Sequence, residues 1–113
     1  MAELSDYSFG SLTVDGERHT RDLIVLPDRV VADWWRQVGH SLAMEDFDEV
    51  IDELPERLVL GCGHDGRLQP PRAVLDELRA RGVDVEAMPT AEAVQRYGEL
   101  DPQRTAAALH LTC

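Results

Sequence analysis

The chain has 113 residues, 43% of them hydrophobic, and a net charge of −11. That length is expected to form one domain over residues 1–113, and the hydrophobic content excludes a disordered chain. All 11 basic residues are Arg and none gather into a stripe that could neutralise phosphates, so nucleic acid and anionic membrane surfaces are not expected partners.

No apolar run approaches the roughly 20 residues of a bilayer span, so membrane insertion is not expected. Met1 to Asp6 are acidic and polar rather than basic and then apolar, which points to a cytoplasmic protein. Cys62 and Cys113 are too few for a disulfide framework or a zinc site and read as small reduced core residues.

Tyr7 to Val14 alternates apolar with small or polar residues, as a half-buried strand does. Asp15-Gly16 follows, a two-residue hairpin signal because such a turn needs positive φ, and Glu17 to Thr20 is the return strand. Leu23 to Leu26 is a more buried strand stopped by Pro27-Asp28. Val30 to Gln37 is ambiguous: Val30 and Val31 favour strand, whereas Asp33 to Arg36 could form a helical turn. Trp34 and Trp35 cannot both point inward from a strand, so at least one is expected at a rim or an interface.

Phe47, Val50, Ile51 and Leu54 fall at i, i+3, i+4 and i+7, one stripe of an amphipathic helix, with Met44 a turn earlier. The rest of Ser41 to Glu56 carries Glu45, Asp46, Asp48, Glu49, Asp52, Glu53 and Glu56 and no base, a face that reads as solvated. Pro55 ends this helix. Leu58 to Leu60 is a buried strand running into the glycine-rich loop Gly61-Cys62-Gly63-His64-Asp65-Gly66. A second helix opens with Pro71 at its first position, turns Val74, Leu75 and Leu78 inward and closes at Gly82. Val83 to Met88 alternates as a strand. A third helix follows, with Thr90 as N-cap and Val94 and Tyr97 inward.

The run from Ala106 to Cys113 reads as a strand buried on both faces, its three alanines admitting a closely approaching layer. This order predicts an α/β domain: a mixed β-sheet with an N-terminal hairpin, flanking helices and largely parallel later strands.

These pieces together resemble a small Mth-type αβ domain family, whose eukaryotic members include an adipogenesis-associated protein and a mitochondrial complex I assembly factor. The likeness rests on Phe9-Gly10, Asp22 to Pro27, Trp34-Trp35-Arg36 with Gly39-His40, Leu58 to Gly63, Met88-Pro89-Thr90 with Glu92-Ala93 and Tyr97, and Ala107 to Cys113. It implies a compact three-layer α/β fold and brings no established active site. Cys62 stands where the family commonly has Thr between the glycines, and Gly98 where Asn often follows the Tyr. A thiol is the poorer hydrogen-bond partner.

Gly61-Cys62-Gly63 lacks the Gly-Lys-Ser/Thr of a phosphate loop, and no helix opens directly after it as a dinucleotide fingerprint requires, so no cofactor is expected. Two readings of function follow. The chain is a non-catalytic protein-binding or assembly module anchored by Trp34 and Trp35, aromatic side chains of the kind enriched at interface hot spots. Alternatively it is a small-molecule binder or enzyme using a cleft where Gly61, Cys62 and Gly63 meet His40 or Thr90. The four histidines, His19, His40, His64 and His110, have no metal-ligand spacing, so no metal site is expected, and His110 reads as a satisfied core histidine.

Overall fold

The computed structural model describes residues 3–34 and 42–112. Among the described residues, eight strands and two α-helices follow one another. They are β1 (Leu4–Ser8), β2 (Ser11–Val14), β3 (Glu17–His19), β4 (Leu23–Val25), β5 (Val30–Val31), β6 (Arg57–Cys62), α1 (Arg72–Ala80), β7 (Asp84–Met88), α2 (Thr90–Gly98) and β8 (Thr105–His110).

Strands β1 to β3 form a small antiparallel meander, and the other five form a mixed sheet in the order β5-β4-β8-β6-β7. Asp15 and Gly16 both take positive φ, 51° and 85°, the geometry of the expected hairpin turn between β2 and β3. The expected single strand Tyr7 to Val14 is instead two, because Gly10 at φ 78° reverses the chain after Phe9.

β8 lies at the centre of the larger sheet, antiparallel to β4 through Leu23 opposite Leu109, and parallel to β6 through Cys62 opposite His110. Every residue of β8 is buried. Side-chain alternation then sorts the core into two faces. Ile24, Leu58, Leu60, Ala106 and Ala108 pack with Phe47, Val50, Val74 and Leu78. Val25, Val59, Ala107 and Leu109 pack with Leu12, Val14, Ala93 and Tyr97. The sheet is therefore the middle of three layers, with α1 on one face and α2 with the small meander on the other. Helices on opposite faces are what two right-handed parallel crossovers, from β6 to β7 and from β7 to β8, require.

Further expectations about the helices are corrected. The acidic segment is not an α-helix: Met44–Phe47 is 3₁₀, continued by turns. Asp46, Asp48, Val50 and Glu53 each donate a backbone N–H to the carbonyl three residues earlier. Met44, Phe47 and Val50 repeat every three residues, which suits 3₁₀ winding, while the acids toward the carboxyl end of the segment, with no base among them, oppose a longer dipole. The apolar stripe still reaches the core, with Phe47 and Val50 buried. Second, Pro89 and not Thr90 is the N-cap of α2, and Pro71 precedes α1 rather than opening it. Among the described residues no helix is long and apolar enough to cross a membrane.

Candidate functional site

The carboxyl ends of β6 and β8 meet the start of α2, the place where parallel α/β sheets form crevices. Here the crevice is closed by Thr90, whose side chain is fully buried. Its hydroxyl accepts the Gly63 N–H at 2.9 Å and donates to the His110 carbonyl at 2.5 Å. The Thr90 N–H in turn donates to the Gly63 carbonyl at 3.0 Å. A Cβ on Gly61 would lie 2.9 Å from both Leu109 Cδ2 and Thr90 Oγ1, so glycine there is what lets helix and sheet approach.

The structure thus unites Gly61, Gly63 and Thr90, but as a latch whose polar groups serve one another. Gly61, Cys62 and Gly63 are buried, and the Gly63 N–H is already engaged and not presented to a ligand. Burial pushes the Cys62 thiol up from its ordinary pKa, which disfavours the thiolate that a nucleophile needs. His40 lies outside the described residues.

His110 is held by Asp22, one of whose carboxylate oxygens is 2.7 Å from His110 Nδ1 while the other accepts the Leu111 N–H at 2.9 Å. The β4–β8 register sets this pair side by side across 88 positions of sequence. Trp34 is buried on the α1 face at 7% exposure, its indole N–H donating to the Asp46 carbonyl at 2.8 Å. It is therefore a core residue that ties down the acidic segment, not an exposed anchor. Trp35 lies outside the described residues.

Above the latch is a surface cluster. Phe9, 56% exposed, stands edge-on to His64 with ring centroids 5.5 Å apart. Tyr7 also lies against the imidazole, its hydroxyl 3.4 Å from Nδ1. Partial burial and the nearby Asp65 charge raise the Tyr7 pKa. Backbone bonds from Gly10 to Leu111 and from His64 to Thr112, both 2.8 Å, fix the turns that carry these rings.

A family described as proteins of unknown function (DUF498/DUF598) matches residues 4–110. The chain belongs to that family. Among solved structures, the DUF498/DUF598 chain is similar to MT938, at 30% identity, full coverage of both chains and a TM-score of 0.79. It also resembles XCC1710 from Xanthomonas campestris, at 26% identity over 98% of this chain and 85% of that one, with a TM-score of 0.82. A Mth938-like domain protein from Bordetella pertussis, 21% identical over 97% and 85% of the two chains with a TM-score of 0.72, shares the fold. The Mth-type likeness read from the sequence is thereby established.

In this DUF498/DUF598 domain the parts missed from sequence are Asp22 and the Tyr7–Phe9–His64 cluster. Asp22 carries no local signal, since only the register brings it to His110. The cluster had one available signal: Gly10 marks a tight turn, and a residue at a turn tip points outward.

Proposed function

We propose that the chain is a protein-binding or assembly module that docks its partner through the Tyr7–Phe9–His64 cluster. One observation carries this reading: Phe9 is the exposed large hydrophobic side chain among the described residues, and it sits on turns pinned by backbone hydrogen bonds. A rigid aromatic anchor loses little entropy on docking. Asp6 and Asp65 flank the rings in sequence, and the chain carries −11 overall, so the complementary surface is an apolar socket with a basic rim. The likeness to a family that includes a complex I assembly factor supports the same class of role. The alternative, a ligand cleft at Gly61-Cys62-Gly63, finds its backbone donor Gly63 occupied by Thr90.

The test is partner affinity of Phe9→Ala against the parent protein, with near-UV circular dichroism to verify the fold. Truncation of an interface anchor should weaken binding by at least about fivefold, the equivalent of about 1 kcal/mol. Association should slow as salt rises. Equal affinities, or turnover of a metabolite that Cys62→Ser abolishes in a folded protein, would overturn the reading.

A further inference from the structure

At the other end of α2, its last turn, the start of β1 and the β2–β3 turn line a half-open cavity of about 370 Å³. This lies within the roughly 300–1,000 Å³ of small-molecule sites. Its wall includes Leu4, Leu100, Gly98 and the ring of Tyr97, and its charged lining residues are Glu3 and Asp15, with no base. Tyr97 is 3% exposed, and among the described residues its hydroxyl is the buried side-chain polar atom without a hydrogen-bond partner. Native interiors leave few such groups unsatisfied.

The electrostatics of the cavity have one sign. Neither Glu3 nor Asp15 has a cationic partner among the described residues; Asp15 is fixed instead by the Glu3 N–H at 2.7 Å. The cavity lies at the carboxyl end of α2, where the helix dipole favours positive charge. Arg96, the base in that last turn, is drawn away to Glu86 at 2.9 Å and to Glu99 at 3.3 Å.

We propose that this cavity binds a small organic cation, a primary amine on a compact apolar body. The ammonium sits at the Glu3 and Asp15 rim, the body packs on Leu4 and Leu100, and the Tyr97 hydroxyl gains a partner. This site is separate from the Phe9 surface and does not depend on it.

The experiment is an amide-resolved NMR titration with small primary amines, phenethylamine and isoamylamine, each against its alcohol isostere. Both amines should shift residues 94–102 together with Leu4 and bind about tenfold more tightly than the alcohols. Glu3→Gln with Asp15→Asn should remove that preference. Tyr97→Phe should weaken the amines by about three- to tenfold, the range of one hydrogen bond, without lowering the melting temperature. Gly98→Leu adds a side chain to the cavity wall at a position where a Cβ meets nothing within 4 Å, and should abolish the shifts. If neither amine shifts this region, or the alcohols bind as well, the cavity holds only water and the proposal is wrong. A folded Gly98→Leu protein that still binds the amines would also refute it.

Discussion

Replacing Thr90 by Val keeps the side-chain shape and removes the latch. The hydroxyl now accepts from Gly63 and donates to His110 at 2.9 and 2.5 Å, in a fully buried position. Valine deletes both bonds, leaves the buried Gly63 N–H without its acceptor, and sets a methyl where an oxygen approached a carbonyl closely. An unsatisfied buried donor costs about 1–3 kcal/mol, and the second lost bond adds about 0.5–1.5 kcal/mol, so a loss of about 1.5–4.5 kcal/mol is expected. At about 2.1 cal/mol/K per residue, unfolding entropy makes each kcal/mol worth about 4 °C in a chain of this size, so the melt should fall by about 6–18 °C. Calorimetry would read this directly, and hydrogen exchange at Gly63 should accelerate in step. Thr90→Ser keeps the hydroxyl and should recover more than half of the loss. A Thr90→Val protein melting within about 2 °C of the parent, or a Ser variant as unstable as the Val one, would refute the assignment of the latch as a stabilising element.

Hydrogen bonds from Arg96 and then Arg57 hold the Glu86 carboxyl below its ordinary pKa. Its stabilisation is therefore present above the unfolded carboxyl's pKa and is lost as pH falls through the lower folded value, so Glu86→Gln should cost at most about 1 kcal/mol at neutral pH and nothing in strong acid. Urea titrations at pH 7 and at about pH 2 would check this. Truncation after Ala108 removes the buried Leu109 from the central strand and the buried Leu111 just beyond it, and should leave no cooperative melt by calorimetry. Cys62 is buried with a raised thiol pKa. Iodoacetamide should leave it unmodified in the native protein and alkylate it in urea, as read by site-resolved mass spectrometry.

Most of the frame was legible because it rests on local rules. The Asp15-Gly16 turn, the α1 stripe of Val74 and Leu78, and the closing alanine-rich strand each carry a pattern that has one low-energy outcome. The errors arose where distant residues decide. Thr90 looks like an N-cap, yet its hydroxyl is claimed by Gly63 and His110. Trp34 looks like an interface anchor, yet its indole finds the Asp46 carbonyl. The acidic stripe is a different case, since Met44, Phe47 and Val50 fit 3₁₀ winding as well as α and the apolar pattern alone does not choose between them. Gly61-Cys62-Gly63 reads as a ligand loop because sequence shows glycine's freedom but not the helix that fills the space beside it.

The place of β8 governs how the polypeptide can acquire its structure. Among the described residues β4 and β6 are joined in the sheet through β8, which the ribosome makes after both. At about 5–20 residues per second, the nascent chain spends seconds with two apolar strand edges lacking their shared neighbour. Those edges are templates for pairing with other chains until β8 inserts. The step that completes the sheet is a long-range closure, which topology makes slow. Chaperone demand during synthesis should thus depend on how quickly Thr105–His110 can find its slot.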